Sequence, residues 1–308
     1  MDAPAGPSPE TGPQLLHGLD SPPWASADNG STTSPGSGEE YPVIDNLTAS
    51  VTAIMRQAAD VAINPRYRRL EARHVSEKSA DDVVTIADHE SEAILAEGLS
   101  ALLPEAAVVG EEAAHSDPTL MRNLGDALCW IIDPLDGTNN FAAGRPPFGV
   151  IVALAEAGET IAGWIYDPLS GRCCRAARGE GAFVDDERVR SLGSGQAKPV
   201  VATALATVEP AMAARARNLF EPACSIVDTA RCAAEQYPRL ALGVNDIAFF
   251  NRTLAWDHAA GVLFLNEAGG KAARYDGSPY RSNDDKTGVL AASTPALWAW
   301  MRELLKTM

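Results

Sequence analysis

Three stretches of this chain bring acid directly to the edge of an apolar run. Ala107-Val108-Val109 leads into Gly110-Glu111-Glu112, and Leu128-Cys129-Trp130-Ile131-Ile132 ends in Asp133-Pro134-Leu135-Asp136-Gly137-Thr138. Trp256-Asp257 opens an apolar stretch that closes at Gly269-Gly270. An apolar run bounded by a carboxylate or a glycine is a buried element that delivers a side chain to its end. The fold must bury these elements on most sides and still bring their ends to solvent. Interleaved strands and helices achieve this in layers, which neither a helical bundle nor a two-sheet sandwich provides.

The rest of the chain fits that expectation. Leu47, Val51, Ile54, Met55, Ala58 and Val61 repeat at helical spacing, with Asp45 as N-cap and Pro65 as the stop. A second helix fits 91–103, before Pro104. Strands are expected at 107–109 and 128–132, then a pair at 149–154 and 160–166 around Ala157-Gly158-Glu159. Residues 171–184 read as a further antiparallel pair. The Gly, Ser and Gln of 191–198 suggest a join between two halves, 43–194 and 195–308. Beyond it come a strand at 200–204, helices at 211–219, 235–242 and 257–267, a strand at 289–291 and a helix at 295–305. The fold class is therefore α+β or α/β, in layers.

Residues 1–42 differ. They hold eight prolines, six glycines and no Lys or Arg, a composition that cannot bury enough apolar surface to order itself. This extension reads as disordered; Leu15-Leu16 with Trp24 is its one candidate docking motif. The net charge of −16 and the absence of a basic stripe argue against nucleic acid as a partner. Five cysteines, an odd number without C-x-x-C spacing, argue for a reducing, cytoplasmic setting. No secretory leader is legible, and no apolar run is long enough to span a membrane.

The acids define the chemistry. Asp133 and Asp136, three positions apart across a Pro-Leu turn, can converge on one metal ion or two neighbours, with the Leu135 carbonyl between them. Gly137 permits close approach, and Thr138 adds a hydroxyl and a backbone N–H for an anion. Taken alone, Asp-Pro-Leu-Asp-Gly also reads as an ordinary turn. Glu111-Glu112 reads as a solvated acid pair and Asp257 as a helix N-terminal acid. Together the three clusters suit magnesium and a phosphate group. Two residues between the aspartates exclude an aspartyl-nucleophile phosphatase of the haloacid dehalogenase type. Position twelve counted from Asp136 is Pro147, which excludes an EF-hand. His74, His89, His115 and His258 are scattered and read as structural or surface residues.

These motifs resemble those of the inositol monophosphatase family. The G-E-E box stands at Gly110, the D-P-x-D-G-T-x-N-F box at Asp133, and the W-D-x-A-A-G and E-A-G-G boxes at Trp256 to Gly270. A D-x-V-T-x-x-D element matches Asp82, Val84, Thr85 and Asp88. The resemblance covers roughly residues 45–305. It implies an αβαβα sandwich, usually a homodimer, that hydrolyses a small phosphorylated metabolite with two or three Mg2+ ions and is sensitive to lithium. It implies Glu111, Asp133, the Leu135 carbonyl, Asp136 and Asp257 as metal ligands, and Gly137 and Thr138 as the phosphate cradle. Asp136 and Asp257 would also face substrate. Glu111 and Thr138 would orient the attacking water, so no phospho-enzyme forms. Lys78 resembles the lysine of the family's mobile loop.

Inositol-selective members carry an acid seven positions before the last metal aspartate; here that position is Phe250, next to Asn251. The segment from Arg231 to Tyr237 lacks the family's Gly-Ser pair, leaving Ala233 and Glu235 as substrate-facing candidates. Inositol 1-phosphate is therefore the substrate by family. Histidinol phosphate, a sugar phosphate and 3′-phosphoadenosine 5′-phosphate stay open, as does a non-catalytic role in binding such a metabolite to regulate a partner.

Overall fold

A computed structural model describes residues 43–71, 74–79 and 82–307. The extension 1–42, with Leu15-Leu16 and Trp24, lies outside the described residues, as do the side chains of Asp45, Lys78 and Asp82.

The first helix, α1, spans Val43–Ala58 and passes into a π-helical turn, Ala59–Ile63, before Pro65. Asp45 is thus inside the helix and not its cap. A hairpin follows, β1 (Val75–Ser79) and β2 (Asp82–Thr85), and then α2 (Ile86–Leu102). This helix starts five residues before the expected 91. Thr85 caps it, its hydroxyl accepting from Ala87 N at 3.1 Å, while Asp88 accepts from Thr85 N at 2.8 Å. That reciprocal pair is a capping box, written in the sequence as T-x-x-D.

The apolar runs then build a seven-stranded sheet. Its strands are β3 (Ala107–Gly110), β4 (Cys129–Asp136), β5 (Gly149–Glu156), β6 (Glu159–Tyr166), β7 (Cys173–Ala177), β8 (Gly181–Val184) and β9 (Glu187–Val189), side by side in chain order. Only β3 and β4 run parallel; a short helix, α3 (Glu111–Ser116), lies on their connection. Both faces of the sheet are covered, so β4 is buried at every residue through Leu135. Its side chains still alternate: Trp130 and Ile132 join the core under α1 and α2, whereas Cys129 and Ile131 join the core on the opposite face.

That opposite face packs against α6 (Ala233–Ala241) and α7 (Ala255–Glu267). Small residues let α7 lie close: a Cβ on Gly163 of β6 would sit 2.7 Å from the Ala260 Cα. On the α6 side, a Cβ on Gly261 would enter the Tyr237 ring. The Ala-Ala-Gly of the third motif is therefore a packing surface. Beyond these helices lies a second sheet in the order β11-β10-β12-β14-β13, from β10 (Val200–Ala202), β11 (Ser225–Val227), β12 (Ile247–Phe250), β13 (Lys271–Ala273) and β14 (Val289–Ala292). Helices α5 (Pro210–Phe220) and α8 (Pro295–Leu305) pack on it. The layers follow in the order helix, sheet, helix, sheet, helix, as expected. Residues 190–199, which include the 191–198 stretch, carry no regular element and connect β9 to β10. Among the described residues no helix is long and apolar enough to cross a membrane.

Candidate active site

The end of β4 is irregular where the chemistry begins. Asp133 pairs with Ile151 and Asp136 with Gly149, so three steps on β4 oppose two on β5. Pro134 has no N–H for the ladder, and the surplus residue becomes a bulge. Ser91 of α2 holds it by donating to Pro134 O at 2.8 Å. The Leu135 side chain remains in the core under α1 and α2, which turns its backbone toward the cleft.

Asp133 is 2% exposed and accepts one backbone hydrogen bond, from Leu135 N at 3.0 Å. Burial first, and then the charges of Glu111, Asp136 and Asp257, push its carboxyl well above the usual range. Asp136 accepts from Ala234 N at 2.5 Å, at the start of α6. Burial raises its carboxyl too, opposed by that bond. Gly137 follows with φ of 82°, a left-handed turn in which a Cβ would meet Pro147 O at 2.9 Å and the Cys232 Sγ at 3.3 Å. Thr138 then opens α4 (Thr138–Ala142). Its hydroxyl lies 2.9 Å from Leu135 O and 3.0 Å from Asp88 Oδ1. Burial pushes the Asp88 carboxyl up to about 7, against hydrogen bonds from Thr85 and Thr138. Glu111 begins α3, whose N-terminus is capped from α2: Glu92 accepts from Glu112 N and Ala113 N, both at 2.8 Å.

These residues line one cleft of about 740 Å3. Glu111, Asp133, Leu135, Asp136, Gly137, Thr138 and Asp257 all reach it, and so do Ala233 and Phe250. Glu235 does not; it is held between Arg172 at 2.5 Å and Arg239 at 2.8 Å. His258 borders the cleft but is buried, with both ring nitrogens engaged. Its Nε2 faces Arg252 O at 3.0 Å, a group that only accepts, so Nδ1 accepts from the Tyr237 hydroxyl at 2.8 Å. Burial pushes that imidazole down to about 3. All five cysteines are free thiols, and burial raises the Cys232 thiol beside the Gly137 turn.

Four carboxylates and a carbonyl on one cleft are hard oxygen donors, and their mutual repulsion favours a divalent cation. Among the described residues, no group of three or more His, Cys, Asp or Glu side chains stands ready-made around an ion. The donor set fits magnesium by its chemistry and by the crowding of charge at Asp133.

Several site residues were not legible as such. Asn140 donates to Pro147 O at 2.9 Å and to Ala230 O at 3.3 Å, tying the loop after α4 to the loop before α6. Gln236 joins that second loop, accepting from Ala230 N at 3.1 Å. Arg145, Arg231 and Arg252 line the cleft as well.

Comparison with known proteins agrees with this architecture. The Nus factor SuhB of Xylella fastidiosa is 32% identical over 246 residues, 76% of this chain and 85% of that protein. The Nus factor SuhB of Escherichia coli K12 is 31% identical over 271 residues, 84% of this chain and 96% of that one. The crystal structure of the extragenic suppressor protein suhB from Bartonella henselae superposes with a TM-score of 0.71 at 26% identity, covering 85% of this chain and 98% of that chain. The Thermotoga maritima IMPase shares the fold with a TM-score of 0.71 at 23% identity, covering 85% and 97%. A model of the inositol monophosphatase family matches residues 45–308, and the chain belongs to that family.

Proposed function

We propose that this chain hydrolyses small phosphate monoesters with magnesium, with inositol 1-phosphate as the family's default substrate. The observation that carries the reading is the cleft itself, which gathers Glu111, Asp133, Leu135 O, Asp136 and Asp257 beside the Gly137-Thr138 turn. Those five groups would hold the metal. When bound, magnesium supplies charge neutralisation and Lewis-acid polarisation of the phosphoryl oxygens.

The protein's own groups do the positioning. Asp88, fixed by Thr85, anchors the Thr138 hydroxyl, which with Glu111 orients water for in-line attack. The left-handed turn at Gly137 brings the backbone close enough to receive the phosphoryl oxygens. Water is the nucleophile, so the enzyme forms no covalent intermediate. The finer expectations travel with this reading: two or three ions, inhibition by lithium, a homodimer and a cytoplasmic location. Histidinol phosphate, a sugar phosphate or 3′-phosphoadenosine 5′-phosphate are the alternative substrates.

A second reading, a non-catalytic regulator that binds a phosphorylated metabolite, has one support. The relatives in Xylella fastidiosa and Escherichia coli are named Nus factor SuhB, not phosphatases. A turnover screen of phosphomonoesters with magnesium, repeated with chelator and with lithium, separates the two. Hydrolysis that stops on chelation is the expected result; no turnover of any ester sinks the enzymatic reading.

A further inference from the structure

Four carboxylates account for one side of the cleft; its other charged lining is cationic. Arg145 and Arg231 line it and are exposed, and among the described residues neither guanidinium has a hydrogen-bond or ion-pair partner. Nearby acid does not explain them. Glu235 of α6 is already shared by Arg172 and Arg239.

The two arginines sit on adjoining loops. Asn140 ties the loop of Arg145 and Pro147 to that of Ala230 and Arg231. The Gly137 turn lies between these loops, within Cβ contact of both Pro147 and Cys232. Both side chains therefore flank the turn that would receive the phosphoryl group. Arg231 also has φ of 52°, in the left-handed region where a Cβ is strained. Glycine would make that turn without strain, yet the position carries a long cation. A strained residue at a cleft points to a task for its side chain.

A monoester of a neutral alcohol offers these guanidiniums nothing beyond the phosphate that the metal side already faces. Resting on the phosphatase reading, we propose that Arg145 and Arg231 form an anion subsite that selects phosphate monoesters whose leaving alcohol carries a second anionic group. That group is a phosphate or a carboxylate, which the planar guanidinium fork binds bidentately. Phe249, Phe250 and Thr203 also line the cleft and present no carboxylate to the hydroxyls of a polyol.

The test uses the full-length protein and matched substrate pairs. A nucleoside 3′,5′-bisphosphate is compared with the 3′-monophosphate, a hexose bisphosphate with the hexose 1-phosphate, and phosphoglycerate with glycerol phosphate. With magnesium, kcat/KM for the doubly anionic member of at least one pair is expected to exceed that of its partner by about tenfold or more. The pair with the largest ratio identifies the second group. Arg231→Gly, which relieves the backbone, and Arg145→Ala should each lower that ratio by about tenfold, chiefly through KM. Calorimetric titration without magnesium reads the same preference without turnover. A preference for the singly anionic member in every pair, or a ratio unmoved in both variants, overturns the subsite even if hydrolysis is fast. Retained calorimetric preference without any hydrolysis keeps the subsite and removes the phosphatase reading beneath it.

Discussion

Two buried aspartates, one in the first sheet and one just before a strand of the second, show how this fold separates structure from chemistry. Asp246, 3% exposed beside β12, accepts from Ser194 N at 2.7 Å, Ser194 Oγ at 2.5 Å, Val200 N at 2.7 Å and Ser293 Oγ at 3.4 Å. Its charge is fully met by the chain, and it pins the join between β9 and the second sheet. Asp133, 2% exposed at the end of β4, has one backbone donor and is crowded by Glu111, Asp136 and Asp257. The same residue type at the same depth is stabilising in one region and left short of partners in the other. Burial alone does not mark a functional acid; burial with unmet acceptor capacity does.

The contrast can be broken experimentally. Asp133→Asn should lower kcat/KM by about a thousandfold, several kcal/mol of transition-state stabilisation. Its thermal midpoint without magnesium should stay level or rise, because a buried like charge is removed. Wild-type turnover in that variant would break the assignment. Asp246→Ala should do the reverse: Ser194 N and Val200 N lose their acceptor, and urea unfolding should register a loss of about 3 kcal/mol. The folded variant should keep its kcat.

Asp88 lies between these extremes, satisfied by Thr85 yet touching Thr138. Asp88→Ala should cost about 2 kcal/mol in unfolding free energy and also lower kcat about tenfold, from the lost cap and the freed hydroxyl. An effect on stability alone would move Asp88 to the structural class. Arg231→Gly should have the smallest effect on folding and the opposite sign, raising stability by about 1 kcal/mol as the left-handed strain is released. A destabilised variant would show that the side chain packs instead of waiting for an anion.

What the sequence made legible follows from how locally each feature is encoded. The acids at the ends of β3 and β4 were readable because the apolar run and its terminus are contiguous. The terminal helix was readable because Pro295 and Leu305 bound an uninterrupted pattern, and the strands around Ala157-Gly158 because their turn is written between them. The start of α2 was missed although Thr85 and Asp88 spell its cap, since the apolar stripe becomes regular only at Ser91. Glu235 looked available for substrate because its partner Arg172 arrives from the loop before β7, across the fold. Arg145 and Arg231 were invisible as a pair for the same reason. Their loops meet at Asn140, whose two acceptors lie on different loops.

The helix that carries Asp257 meets β6 backbone to backbone at Gly163 and Ala260. The gap separating that acid from those of β4 is therefore a backbone-to-backbone dimension, set one layer away from solvent. A single methyl wedged at position 163 would lever the two walls apart without touching any acid of the cleft, and the width of that cleft becomes a property inherited from one glycine and one alanine.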